Sequence, residues 1–169
     1  MRTLAAIGVL AIIIAVGAAV FLFGGFFNVA VSEPFPSFAN WALIQVRMAS
    51  VERHAGHDSP ANLDDPEVVH AGARAFSGRG CTNCHGAPGV NWQKFSEGMD
   101  PDPPDLKEIV PAREPAQLFW VIKNGIKMTG MPSFSAIGAN DNEIWSIVAF
   151  VRKLPNVSDA EFKAWTANP

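Results

Sequence analysis

Both cysteines of this chain fall in "RGCTNCHGAP", residues 79–88, where Cys81 and Cys84 are separated by two residues and His85 follows directly. Two thiols about one helical turn apart with an imidazole behind them form the CxxCH pattern of covalent heme attachment. The sulfurs can reach the two vinyl groups while the histidine comes under the iron. Other chemistries of paired cysteines ask for more than the chain offers. A closed tetrahedral zinc site needs four ligands, but there is no second cysteine pair, and His54, His57 and His70 lie upstream at no finger-like spacing. A redox dithiol belongs in a βαβ setting, and no useful run of β-alternation occurs. A disulfide between residues three apart would close a loop too small to stabilise much. The expected cofactor is therefore a single, covalently bound heme c.

A carrier heme needs a sixth ligand. A methionine thioether raises the potential and fills the open iron face, which suits outer-sphere electron transfer rather than substrate chemistry. Of five methionines, Met1 and Met48 lie outside the candidate domain, leaving Met99, Met128 and Met131. Met131 stands between Gly130 and Pro132, so its backbone is free on one side and restricted on the other. Met99 reads best as a gap-filling core residue.

The elements that must position these residues are helical. From Leu4 to Phe27 no charged or strongly polar residue occurs, and 24 residues at about 1.5 Å each give roughly 36 Å, enough to cross a bilayer. The run is too long for the apolar region of a typical secretory signal, so an uncleaved anchor is expected. Ala11, Ala15 and Ala19 recur every four residues along it, a stripe that lets a neighbouring backbone approach. Pro34 and Pro36 then stop the helix and set an extended exit. Trp41, Ile44, Met48 and Val51 form a stripe predicting an amphipathic helix, with Leu43 and Val46 blurring its polar face. Such a helix could lie on lipid headgroups, dock on a partner subunit, or pack against its own domain.

The globular part opens with Asp64 or Asp65 as cap, Pro66 in the first helical position and Glu67 in the first turn, predicting a helix from Pro66 to Ser77 with Val68, Gly72 and Phe76 on one face. Residues 86–115 are dense in Pro and Gly, a long irregular segment that must wrap something. Helices follow at Pro115–Asn124, stopped by Gly125, and at Asp141–Leu154, ended by Pro155. The expected organisation is an anchor (1–30), a juxtamembrane linker with the amphipathic helix (31–60), a domain of few helices and long loops (61–157), and a C-terminal tail (158–169). Three short helices make a poor core, and a large buried cofactor would supply the missing interior.

The whole chain of 169 residues has formal charge −3. From Ala55 onward 10 Lys and Arg stand against 14 Asp and Glu, a balance of −4 that disfavours nucleic acid and suits protein partners.

Over roughly residues 64–155 the chain resembles class I c-type cytochromes, specifically the membrane-anchored monoheme members that serve bacterial dehydrogenase and oxidase complexes. The resemblance rests on Gly72 and Phe76 in the first helix, "CTNCHG", "GIKMTGMPSF" and the aromatic-bearing "DNEIWSIVAFVRKL". It implies an all-α fold in which the first and last helices cross near Gly72, Phe76 and Phe150, with His85 and Met131 as axial ligands, the latter at the family's "GMP" position and Met128 as runner-up. Pro104, Leu106, Ile126, Pro132 and Phe134 lie in loops that it implies pack on the heme, and Trp92, Arg113 and Lys127 could contact the propionates. Trp120 and Trp145 are expected in the core, His54 and His57 in solvent, His70 exposed. One departure is "FSGRGC", an extra glycine-flanked residue before the motif that leaves the local path open.

The resemblance further implies attachment of heme on the outer face of the bacterial cytoplasmic membrane, hence a periplasmic domain and a cytoplasmic N-terminus. The expected function is one-electron transfer, not enzymatic turnover, with no small-molecule substrate. The partners would be the lipid bilayer and a membrane-protein donor and acceptor, as a subunit of a respiratory complex or as a mobile tethered carrier. A peroxidase-like or ligand-sensing heme, or a zinc-bound anchor protein, are the readings from other classes.

Overall fold

An apolar run away from water can satisfy its backbone groups only within itself, as helix. In the computed structural model, which describes residues 2–33 and 35–167, Arg2–Phe23 is that helix, α1, and its side chains are exposed throughout. Its 22 residues give about 33 Å. The span expected to reach Phe27 stops at Phe23 because Gly25 takes a left-handed conformation (φ 76°) that turns the chain out of the helix. The chain divides into two units, Met1–Pro34 and Phe35–Pro169, and α1 belongs to the first. Pro34, assigned above to the helix stop, lies outside the described residues.

The second unit begins with α2, Ser37–His54, entered through Pro36. The anticipated stripe is buried only at its C-terminal end: Val51 is in the core and Met48 half-buried, whereas Trp41 and Ile44 are exposed. The amphipathic reading therefore holds for the second half of the helix and not for the first.

α3, Pro66–Gly78, starts as its sequence dictates, with the Asp65 carboxylate accepting the Glu67 N–H (2.9 Å) and Pro66 in the first turn. Its buried face is Val69, Gly72, Ala73 and Phe76, the i, i+3, i+4, i+7 positions of one stripe, with Val68 at the edge rather than the centre. α7, Asp141–Lys153, is capped by Asn140 through the Glu143 N–H and buries Ile144, Ile147, Val148, Phe150 and Val151. The two helices cross where Gly72 lies against Ser146. A Cβ on Gly72 would overlap the Ser146 carbonyl oxygen, so glycine is what lets the backbones meet. Beside that contact the Phe76 and Phe150 rings are tilted at 59° with centroids 5.3 Å apart.

α4, Cys81–His85, carries the thiols, and α6, Pro115–Asn124, closes with a Glu114–Gln117 capping box at its start and Gly125 at its end. Between them the Pro/Gly-rich segment holds a 3₁₀ turn at Lys94–Gly98, the single turn α5, Leu106–Ile109, capped by Asp105, and a second 3₁₀ turn at Val110–Ala112. No strand occurs among the described residues; one isolated bridge pairs Ala87 with Val90.

The segment expected to be a tail is instead α8, Asp159–Thr166, over its described length. Ser158 and Glu161 form the reciprocal cap that a Ser-x-x-Glu sequence encodes. Phe162 is buried with its ring stacked on Phe150 (5.5 Å), and Trp165 lies on His70 (4.6 Å), which is accordingly half-buried rather than exposed.

Replacing Gly72 by Val should force the α3–α7 crossing apart and cost about 1–3 kcal/mol. Chemical denaturation of the purified protein would read this as a lower midpoint at unchanged slope.

Candidate functional site

The departure "FSGRGC" resolves into a hinge with a clamp. α3 ends at Gly78, Gly80 adopts a left-handed conformation (φ 76°), and α4 begins at Cys81. The residue between the two glycines is spent on anchoring: Arg79 Nε and Nη2 donate to the two Glu143 carboxylate oxygens, each at 2.7 Å, and Nη1 donates to the Ile137 carbonyl (3.1 Å). This two-pronged pairing ties the start of the thiol-bearing turn to the start of α7. The Arg79 guanidinium holds the Glu143 carboxyl below the usual carboxylate range.

Cys81 and Cys84, one turn apart on α4, are both free and half-buried. Burial pushes the Cys81 thiol up to about 12, the opposite of the lowered values that make a redox dithiol reactive. His85 closes the turn, and its Nδ1 lies 3.0 Å from the Pro104 carbonyl oxygen. A carbonyl only accepts, so Nδ1 carries the proton and donates, leaving the Nε2 lone pair as the available metal donor. Burial pulls the imidazole below its ordinary value, opposed in part by the Pro104 bond, so it is neutral at pH 7. A cleft of about 230 Å³ opens here, with Cys84, His85, Trp92 and Pro104 among its lining.

The second group of candidates sits on the ten residues after α6. Gly125 (φ 68°) folds the chain back so closely that a Cβ there would lie 2.6 Å from the Pro132 carbonyl carbon and 2.8 Å from the Met131 oxygen. Ile126 N–H donates to the Met131 carbonyl (3.2 Å), and Phe134 N–H to the Ile122 carbonyl at the end of α6 (3.2 Å). Thr129 works in both directions: its hydroxyl donates to the Ile126 carbonyl (2.8 Å) and accepts from Met131 N–H (3.1 Å). Ser133 and Ser135 hydroxyls both donate to the Lys123 carbonyl (2.8 and 2.9 Å). Met131 is thus held half-buried between two pinned flanks, whereas Met128 is 80 % exposed and Met99 packs its sulfur against Gly130.

Cys81, Leu106 and Met131 all pack against the apolar cluster that contains Phe76, Phe134 and Phe150. Ile126 is half-buried, and Pro104 and Pro132 are exposed. The polar candidates divide: Trp92 donates its indole N–H to Glu97 (3.3 Å), Arg113 is half-buried and Lys127 exposed. Trp120 and Trp145, expected in the core, are half-buried; Trp145 stacks on Phe119 at 4.2 Å, and Trp120 carries the His54 ring at 6.0 Å, while His54 and His57 are exposed as expected.

Sequence reasoning missed Gly125 and Thr129 as positioning residues, and the Pro104 carbonyl as the orienting acceptor. Thr129 had a signal, a hydroxyl residue two before Met131 in a turn-rich loop. The Pro104 contact spans 19 residues and had none. Two thiols on one turn, an imidazole with its Nε2 free of hydrogen bonds among the described residues, and a half-buried thioether that packs against the same apolar cluster as Cys81 are donors of the kind a covalent heme takes.

Compared with known protein families, the chain matches the one described as "Cytochrome C oxidase, cbb3-type, subunit III" over residues 67–151. Comparison with curated proteins and with solved structures gave no match.

Two outcomes follow. Replacing Thr129 by Val removes a donor and an acceptor together and should lower stability by about 1 kcal/mol, seen as a reduced denaturant midpoint. The Arg79–Glu143 pair depresses the Glu143 pKa, so its contribution is complete above the ordinary carboxylate value and is lost as pH falls through the depressed one. The difference in Tm between the native chain and Glu143→Gln should therefore shrink below about pH 4.

Proposed function

The chain belongs to the family of cytochrome c domains that matches its residues 67–151, and from that premise we propose a membrane-anchored one-electron carrier with a single heme c, serving as a subunit of a respiratory electron-transfer complex. Membership in a cytochrome c family makes covalent heme and electron transfer, rather than catalytic turnover, the general character of the protein. When bound, the heme supplies a one-electron Fe(II)/Fe(III) couple.

The chain's own residues would act as follows. Cys81 and Cys84 hold the group through thioethers. His85 would offer Nε2 to the iron, with its ring kept in one tautomer and orientation by Pro104. Met131 would offer its thioether, with its backbone tied to Thr129 and Ile126. Leu106, Ile126 and Phe134, with Pro104 and Pro132, supply the apolar surroundings that keep water from the iron. The observation that carries this reading is the contrast among the methionines: Met131 is half-buried and pinned on both sides, while Met128 faces solvent. A His/Met ligand set leaves no open position for substrate, which favours a carrier over a peroxidase-like site.

Membrane attachment rests on α1, the one helix among the described residues long and apolar enough to cross a bilayer. With α1 retained as an anchor, the heme domain would lie on the periplasmic side of a bacterial cytoplasmic membrane, with the N-terminus inside. Tethering would confine it to a thin layer and raise its effective concentration at membrane partners to about the mM order.

The purified chain should stain for heme on a denaturing gel and give a sharp low-spin reduced spectrum unchanged by carbon monoxide. Met131→Ala should keep the stain and gain prompt CO binding. A native chain that binds CO promptly would replace the carrier with an open-iron site.

A further inference from the structure

Between Glu33 and Arg47 the chain carries no charged side chain. Over that stretch, in the first half of α2, Phe38, Trp41, Leu43, Ile44 and Val46 are all exposed, Phe38 at 76 % and Val46 at 68 %. At 3.6 residues per turn these five are spread around the whole axis, with no gap wider than about 100°. A helix that lies flat on a surface, or in a groove, needs one polar face. One that carries large apolar side chains on every side, with only the uncharged Asn40 and Gln45 between them, is immersed.

The apolar section ends abruptly. Arg47, Glu52, Arg53 and His54 occupy the last two turns, and there α2 joins its own domain through buried Val51 and the His54–Trp120 stack. Arg47 stands six residues, about 9 Å, beyond Trp41. Tryptophan favours the headgroup level of a bilayer, and arginine pairs with phosphate oxygens. The 13 residues between Phe23 and Ser37 extend at most about 45 Å. The start of α2 is therefore tethered to whatever surrounds α1.

From these observations we infer that residues 37–46 are embedded, steeply tilted, in the interfacial layer of the bilayer that α1 spans, with Arg47 on lipid phosphates. The rest of α2 is then a rigid stalk: its far end is fixed on α6, the helix whose C-terminus carries the Met131 loop, so the heme domain is held in one orientation to the membrane. This rests on the reading of α1 as a membrane span.

The test uses the full-length holoprotein in vesicles of phosphatidylcholine and phosphatidylglycerol. Heme attachment consumes both native thiols, so a cysteine introduced by Ile13→Cys, Phe38→Cys, Leu43→Cys, Val46→Cys or Glu52→Cys is the single site for a nitroxide label. Labels at 13, 38, 43 and 46 should collide with oxygen and be protected from a water-soluble nickel chelate, with an oxygen-to-chelate collision ratio several-fold above that at 52. A protected label at 13 with labels at 38, 43 and 46 as aqueous as that at 52 overturns the inference and leaves the span intact. Shielding of those three labels from both reagents also overturns it, because that pattern marks a protein partner. An aqueous label at 13 removes the span itself, and the inference with it.

Discussion

At Gly72 the backbone of α3 rests against the Ser146 carbonyl of α7, a distance no side chain permits. Two helices brought this close share a single apolar seam, in which Phe76, Ile144, Ile147, Val148 and Phe150 are almost wholly removed from water. From α3 the chain runs straight into the thiol-bearing turn. Opposite it, Arg79 grips the first turn of α7 through Glu143. The place where two sulfurs and an imidazole emerge is thus set by one missing side chain and one guanidinium, both outside the motif itself.

Away from that seam, order comes from main-chain polar groups rather than from regular structure. The loop after α6 is not regular structure, and its backbone is held by its own groups, by Thr129 and by the last carbonyls of α6, which also take the Ser133 and Ser135 hydroxyls. Likewise the Pro104 carbonyl finds its donor in His85. Buried polar groups must be paired, and in a domain with little regular structure the pairing that meets this demand also fixes the two side chains with metal-donor chemistry. Loops of this density would be a weak design around an empty interior and are a reasonable one around a large apolar cofactor.

α8 widens the same core. Phe162 stacks on Phe150, which also meets Phe76, and Trp165 covers His70. The last helix therefore reinforces the crossing on which the thiol-bearing turn depends. Because its rings meet Phe150 and His70, the second 95 positions before Trp165, its role is not apparent from the local sequence, even though its Ser158–Glu161 cap is.

What the sequence determined by itself was whatever depends on neighbours along the chain. Asp65, Pro66, Asn140, Ser158 and Gly125 mark where helices begin and end, the spacing of Cys81, Cys84 and His85 limits the cofactor, and an uncharged run of more than twenty residues can only be helix in an apolar medium. Tertiary structure decided what depends on partners far apart. Gly130 and Pro132 already set Met131 apart from Met128 in the sequence, but that one is half-buried and the other faces solvent exists only in the fold. The stripe from Trp41 to Val51 looked uniform, yet only its end is buried, where Val51 and the His54–Trp120 contact join it to the domain. The reason is physical: caps and periodicity act within a turn or two, whereas burial and long-range hydrogen bonds exist only once distant segments have been brought together.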